Sequence, residues 1–510
     1  MSLSSRVHVA IIIRVLIALV TATVFQPDEY YQSLEPAHHI VFGYGHLTWE
    51  WLNPRPIRSI LYPALNIPLY WLLKATHLDE VGVFGDWLVI NLPRLLHGTF
   101  AALTDIFLCS LTRRVLGQSY VPTALLVSLS SLFHALSLSR SLSNSLETSL
   151  TIIALSNYPW LIRPNVALDR SQLRKTLCSA ALACAIRPTN AVIWVYLFAY
   201  MLWQLKGSWP ASFIVAQDGI LIGASTLVTV FLLDSWYYRH PTFTPWNFLA
   251  TNLSNVSLFY GGNPWHYYIS QAIPIMCTTS LPFALHTIWR IVNGKESRPL
   301  ARSFHDLSQR KGFALNPQQL KILLLFTLPA TCYIVLLYCS GPIEVMAFLR
   351  GLPRQELATG GVGFLMPCHS TPGQAYLHRP ELADGKLWAL GCEPPLQNQD
   401  LAAYRDQTTV FFESPYDYLA KRFPDMVDPT FPVSAFPRSI PGTRDAVDYA
   451  WVHAWPQHLV FFGALLEAQG VRSLLEARGY KEVWAAGRSW EGDSDERKGG
   501  VKVWKYASSS

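Results

Sequence analysis

Two adjacent carboxylates, Asp28 and Glu29, stand in the stretch Phe25-Gln26-Pro27-Asp28-Glu29-Tyr30-Tyr31-Gln32-Ser33, directly after an apolar run. A carboxylate at a lipid–water boundary is costly unless it has a task or a partner. The residue types suit glycosyl transfer from a lipid phosphate. An acceptor hydroxyl must lose a proton as it attacks the anomeric carbon, and a carboxylate within hydrogen-bond reach takes it. The departing phosphate needs positive charge, which Arg donors supply with matching geometry. One base and direct displacement would invert the anomeric centre; retention would need a second carboxylate as nucleophile. Side chains of sequence neighbours need not converge, so one acid of the pair is expected to be the base and the other to orient or hydrogen-bond.

The candidates for holding donor and acceptor are Arg94, Asn144, Glu147, Arg187, Asp234, Tyr237 and His266. Other chemistries lose weight by what is missing. The chain has no His-Glu-x-x-His, no Walker-type loop, no Gly-x-Ser-x-Gly and no Cys-x-x-Cys, which argues against zinc hydrolysis and nucleotide chemistry, and no metal ligand is assigned. A transporter would place its charges in broken helices at mid-bilayer, whereas these fall at helix ends.

The elements that position these residues are expected to be membrane helices. Hydrophobic residues make up 51% and charged residues 15% of the chain, against roughly 25% charged in soluble domains. The 18 Trp and 23 Tyr suit bilayer interfaces, with Tyr30, Tyr31 and Trp49 expected as a rim beside the acids. The net charge of +6 is dispersed, unlike a nucleic-acid footprint. The apolar run at the N-terminus has no small-residue cleavage site after it and reads as a retained signal anchor.

Spans of about 20 apolar residues are expected at 9–25 (ended by Pro27), 90–112, 120–137, 146–162, 211–233, 270–290 and 322–340. The stretch 176–204, interrupted by Arg187-Pro188-Thr189-Asn190, reads as a tight hairpin of two helices. Residues 59–74 read as an interfacial or re-entrant helix. This gives a polytopic α-helical membrane protein with about nine crossings. With a cytosolic N-terminus, Arg113-Arg114, Arg163, Arg170, Arg174-Lys175, Lys206 and the 290–321 loop all fall on the cytosolic side, the positive-inside pattern. Asp28, Glu29, Arg94, Ser141, Asn144, Glu147, Arg187, Asp234 and His266 then collect on the opposite, luminal face.

Residues 1–340 thus read as a multi-span domain with luminal loops 26–89 and 234–269, and 341–510 as a C-terminal luminal α/β domain. In the latter, Gly361–Cys368, Lys386–Cys392 and His458–Phe462 read as strands, and Pro342–Leu352, Pro415–Phe423 and Gly463–Arg478 as helices. Cys368 and Cys392 are placed either to pair in an oxidising lumen or to remain free buried thiols. Glycosylation sequons occur at Asn252 and Asn255.

Several segments taken together are similar to the glycosyltransferase family 22 mannosyltransferases. They are Phe25–Ser33 with Glu35, His38-His39 and Tyr44–Trp51; Leu142-Ser143-Asn144-Ser145-Leu146-Glu147-Thr148; Arg187-Pro188-Thr189; Asp234-Ser235-Trp236-Tyr237-Tyr238; Pro245–Phe248; and Tyr260–His266. The branch resembled most, carried by Val362–Pro372 and Gly391–Pro395, is the one acting on the GPI glycolipid. The resemblance implies a GT-C fold in the endoplasmic reticulum membrane. It implies metal-independent transfer of the third mannose, α-1,2-linked, from dolichyl phosphate mannose to the GPI intermediate, with Asp28 and Glu29 matching the family's acidic pair. The alternatives are a family member acting on lipid-linked N-glycan precursors and an inactive membrane scaffold. One departure stands out: the polar stretch 291–321 holds no His-Lys-Glu-x-Arg-Phe loop of the kind the family carries, as though a helical hairpin had been lost there.

Overall fold

The computed structural model describes residues 3–160, 168–254, 256–259, 261–293, 317–396, 400–434, 451–492 and 494–507. The sequon residue Asn255, Arg163, Tyr260, the end of the expected span 146–162 and most of the polar stretch 291–321 lie outside these residues.

Among the described residues three helical stretches are long and apolar enough to cross a bilayer: Gly82–Val115, Trp209–Tyr238 and Leu323–Arg350. The last is interrupted by a turn at 337–339. The remaining expected spans are built from shorter pieces. The N-terminal helix, Leu3–Val20, packs along Gly82–Val115, where Gly98 allows close approach: a Cβ there would lie 3.0 Å from both Ala18 and Val15. The stretch 120–137 is split into Val121–Leu129 and Leu132–Ser137, with Ser131 capping the second helix. The stretch 270–290 is split at the 3₁₀ turn Thr278–Ser280. Residues 59–74 supply the 3₁₀ turn Pro63–Leu65 and most of the nine-residue helix Ile67–Ala75, too short to cross.

The stretch 176–204 is interrupted where the sequence has Arg187-Pro188. The helix Arg170–Ile186 ends there, and Ala191–Gln204 folds back so that Leu173 and Leu177 share an apolar cluster with Met201 and Leu205. The helices Arg170–Ile186 and Trp209–Tyr238 also sort the charges. In their N-terminal parts Arg170 and Arg174 pair with Asp218 at 2.8 and 3.1 Å, while Arg187 and Asp234 lie toward the other ends, roughly 25 Å of helix away.

Pro27 does not terminate the first helix. That helix ends at Val20, and residues 21–24 are strapped alongside Ile334–Cys339, with Ala22 N donating to Val335 O at 2.9 Å and Val24 N to Cys339 O at 3.2 Å. Pro27 instead opens the next helical segment: its carbonyl accepts from Tyr30 N and Tyr31 N, each at 3.0 Å. The segment passes through the π-turn Tyr30–Leu34 into the helix Glu35–Phe42. Proline suits this place because its missing N–H would be unpaired in any first turn.

The C-terminal third carries a five-stranded sheet in the order β2-β1-β3-β5-β4, built from β1 (Val362–Phe364), β2 (Leu387–Ala389), β3 (His458–Phe462), β4 (Tyr480–Ala486) and β5 (Val501–Tyr506). β1 runs parallel to β2 and β3, and β5 antiparallel to β3 and β4. The middle strand β3, His-Leu-Val-Phe-Phe, is buried throughout, as a continuous apolar run requires when both faces are covered. Leu459 and Phe461 enter one core with Tyr418, Leu419 and Leu475. Val460 and Phe462 enter the other with Val345, Met346 and Leu349 of the helix Gly341–Arg350.

Cys368 and Cys392 form a disulfide with a Cα–Cα distance of 5.9 Å. Closing a loop of this length is worth about 3 kcal/mol through the unfolded chain. Alkylation of the denatured chain with a mass-tagged maleimide is expected to modify two more thiols after reduction than before. Equal labelling would show that the bond does not form.

Candidate active site

Asp28 and Glu29 lie in the first turn of one helical segment, so their side chains leave the axis about 100° apart. Their surroundings differ accordingly. Glu29 is buried and pairs with Arg140 at 3.0 Å, the two side chains 5% and 3% exposed. Arg140 is itself consumed inside the protein, donating to Thr23 O at 2.6 Å, Thr23 Oγ1 at 2.7 Å and Leu136 O at 2.6 Å. Glu29 is thereby tied through Arg140 to the strap 21–24 and lies outside the lining of the cleft, so the two side chains do not converge and the polar contacts of Glu29 run to the protein. Tyr30 and Tyr31 are no interfacial rim either. The ring of Tyr30 is buried edge-on to Tyr376, and the hydroxyl of Tyr31 donates to Thr371 O at 2.9 Å.

Asp28 lines an open cleft of about 420 Å³. Its walls come from the first loop (Gln32, Trp49, Glu50, Arg58), the segment around Phe248–Asn252, and the C-terminal third (Cys368, His369, Cys392, Arg497). The sequon residue Asn252 is part of this wall. A smaller cavity of about 40 Å³ shares Gln32, Ile57, Arg58 and Phe248 with the cleft and reaches Ser143 and Arg187.

Burial pushes the Asp28 carboxyl above the usual aspartate range and Glu50 adds to this, while Arg58 is the strongest charge opposing it, followed by Arg187. A carboxylate with a raised pKa is a better proton acceptor at neutral pH than an exposed aspartate, as long as the Arg charges keep it ionised.

Arg58 was not among the sequence candidates. Its guanidinium donates to Glu50 Oε1 through Nη2 at 2.7 Å and Nε at 3.0 Å, and it lies over the Phe248 ring at 5.8 Å. Asp234 positions it from behind. That carboxylate is buried and accepts from Ser59 Oγ at 2.8 Å, Ile60 N at 3.1 Å and Thr244 Oγ1, while Tyr238 OH donates to Arg58 O at 2.7 Å. Asp234 is fully buried, with three of the roughly four acceptor positions of its carboxylate taken by protein donors, so the structure places it behind Arg58 and not on the wall of the cleft.

Asn144, Glu147 and Arg187 do come together. Arg187 donates to Asn144 Oδ1 at 3.0 Å and pairs with Glu147 at 3.1 Å, and Asn190 donates to Glu147 at 2.8 Å. The remaining candidates sit elsewhere. Arg94 donates to Tyr376 OH at 3.1 Å and stacks on that ring, away from the cleft. Tyr237 packs edge-on to Trp51 and Tyr238. His266 is exposed, with its ring nitrogen 2.9 Å from Ser270 Oγ.

Glu35 ties the first loop to the C-terminal third. Its buried carboxylate accepts from His46 N at 2.9 Å, Gln374 N at 2.9 Å and Ala375 N at 2.8 Å. Gly373 permits this approach, since a Cβ there would stand 2.4 Å from Glu35 Oε1. Nearby, His38 Nε2 meets His378 Nδ1 at 2.9 Å. Residues Cys368 and His369 are carried into the cleft wall by this connection. Their cluster with Cys392 has metal-ligand residue types, but both sulfurs are spent in the disulfide.

Residues 6–304 match the model of the Alg9-like mannosyltransferase family. The chain belongs to that family. Among relatives of this Alg9-like chain, GPI mannosyltransferase 3 of Yarrowia lipolytica is 33% identical over 443 residues, covering 81% of this chain and 82% of the relative. GPI mannosyltransferase 3 of Schizosaccharomyces pombe is 30% identical over 538 residues and covers 96% of both. GPI alpha-1,2-mannosyltransferase 3 of Danio rerio is 33% identical over 443 residues, 81% of this chain and 79% of the relative. No solved structure matches.

Proposed function

We propose that this Alg9-like mannosyltransferase is an inverting α-1,2-mannosyltransferase that adds the third mannose to a GPI precursor, using dolichyl phosphate mannose. The names of the relatives support the acceptor and the linkage. The observation that carries the chemistry is Asp28, a half-buried carboxylate on the wall of an open cleft, with Arg58 and Arg187 acting on its charge.

In this reading the acceptor hydroxyl gives its proton to Asp28 while its oxygen bonds to C1 of the mannose. The C1–O bond to phosphate breaks on the opposite face, and its electron pair stays on the phosphate oxygen. Arg58, Arg187 and Arg497, which line the connected cavities, supply positive charge for the phosphate groups of the two lipid-linked substrates. The step needs no metal ion, because guanidinium groups meet the charge that develops. Glu29 takes no part in it.

The same reading places about nine crossings of a GT-C fold in residues 1–340 and a luminal α/β domain in 341–510, in the endoplasmic reticulum membrane. Supporting it are the Cys368–Cys392 disulfide, which suits an oxidising lumen, and the separation of Arg170, Arg174 and Asp218 from the Arg187 and Asp234 end of the same helices.

The purified chain, given dolichyl phosphate mannose with either a dimannosyl GPI or a lipid-linked oligosaccharide acceptor, is expected to extend the GPI alone. Extension of the oligosaccharide alone would favour the N-glycan reading, and extension of neither the inactive scaffold. The internal departure at 291–321 makes this test informative.

Arg58→Gln removes the strongest charge that holds Asp28 ionised. Transfer requires the ionised form, so the acid limb of the pH–rate profile is expected to move to higher pH as overall activity falls. An unshifted limb would separate Arg58 from the base.

A further inference from the structure

We infer that Gln32, Thr48 and Glu50 form a subsite beside Asp28 that binds ring hydroxyls of the acceptor's terminal sugar. This rests on the acceptor proposed above and names the side chains that hold it.

Two buried polar atoms on the cleft wall have no hydrogen-bond partner among the described residues. Gln32 is 9% exposed and Thr48 5%, and both line the cleft with Asp28. The Gln32 amide nitrogen donates to Glu50 Oε1 at 3.4 Å, while its carbonyl oxygen is unpaired. That orientation of the amide follows from its neighbour, because only the N–H end can face a carboxylate. The open end of Gln32 is therefore an acceptor. Thr48 stands at the N-cap of the helix Trp49–Leu52, where a threonine hydroxyl ordinarily accepts from the first turn. Here it makes no such bond, and Oγ1 is unpaired. Glu50 supplies a third group. Its Oε1 takes the bonds from Arg58 and Gln32, and none of the described residues donates to Oε2.

Buried polar atoms are normally paired, because an unmade hydrogen bond costs free energy. The chemistry of these three selects the occupant. Gln32 Oε1 and Glu50 Oε2 only accept, and Thr48 Oγ1 both donates and accepts. Such a set repels phosphate and suits a neutral group rich in O–H, which among the proposed substrates means a sugar ring. Gln32 follows Asp28 by four residues, about one turn of the same helical segment. The base meets the reacting hydroxyl of the acceptor, so the ring one turn away is the acceptor's. For an α-1,2 transfer that hydroxyl is on C2 and C1 is already linked, which leaves the C3 and C4 hydroxyls for the subsite. Held there, the ring presents its C2 hydroxyl to Asp28.

The test measures equilibrium binding of a short-chain dimannosyl GPI to the full-length chain in detergent, without donor. It is compared with an analogue whose terminal mannose lacks the C3 and C4 hydroxyls. The parent is expected to prefer the intact sugar by about a hundredfold, and Gln32→Met, Thr48→Val and Glu50→Gln each to cut that preference by about tenfold. A side chain that only shaped the wall would weaken both ligands alike. A parental preference below about tenfold, or one undiminished in the folded variants, would overturn the subsite and leave the unpaired atoms to water. The parental comparison needs no variant, so it decides the matter even where a substitution fails to fold. A parallel transfer assay separates the two readings. Preference without mannose transfer would sink the proposed reaction and leave the subsite standing, transfer without preference would do the reverse, and absence of both would sink both.

Discussion

Asp28→Asn is expected to lower mannose transfer by at least 10²-fold, the low end of what a positioned base contributes, while the chain still inserts and folds. The substitution keeps the size of the side chain and its place in the cleft wall and removes only the ability to take a proton. Asp28 is half-buried and its pKa is raised chiefly by burial. Removing its charge therefore relieves a desolvation cost, and the variant is expected to be at least as stable as the parent. Transfer rate per folded molecule, measured after detergent size-exclusion chromatography, checks both halves of the expectation.

Glu29, one residue on, is expected to behave in the opposite way. Removing either Glu29 or Arg140 leaves a buried charge unpaired, which costs about 3–5 kcal/mol, a large share of the stability of most folded proteins. Glu29→Ala and Arg140→Ala are each expected to lose most of the monodisperse protein. The double variant Glu29→Leu/Arg140→Met, which replaces the pair with apolar side chains, is expected to recover part of it, although Thr23 O and Leu136 O lose their donor. Recovery is read as the monodisperse fraction and the unfolding temperature in detergent. Single variants as well folded as the parent would show that the ion pair is not what holds the strap.

The contrast between these two acids shows what was legible in the sequence. That an acidic pair after an apolar run is a candidate for chemistry was readable from residue type and location. Which acid faces the cleft was not, because the answer depends on helical phase and on Arg140, 111 residues away. The break at Arg187-Pro188 followed from local signals, whereas the meeting of Arg187 with Asn144, 43 residues away, was anticipated only as a shared face. Asp234 and Arg94 misled because a charge near a helix end looks the same whether it faces substrate or protein. Their partners, Thr244 with Ser59 and Tyr376, come from other segments. Arg58 carries no helix-end or motif signal of its own, and its place in the site depends on Glu50 and on the Phe248 ring from a distant segment. The sequence shows only that Arg55 and Arg58 are cations in a Pro-rich loop on the opposite face. The strands of the C-terminal sheet were readable where apolar runs stood out, as in His458–Phe462. β4 was missed because Tyr480–Ala486 is mostly exposed and mixed in character.

The central claim is that two neighbouring carboxylates divide chemistry from structure. The most direct measurement compares Asp28→Asn with Glu29→Gln, each purified and corrected for folded fraction, in single-turnover transfer of mannose to a dimannosyl GPI acceptor. The account predicts that Asp28→Asn is at least 10²-fold slower and that whatever Glu29→Gln remains folded transfers within a few-fold of the parent. Transfer by folded Asp28→Asn at the parental rate, or its loss in well-folded Glu29→Gln, would contradict it.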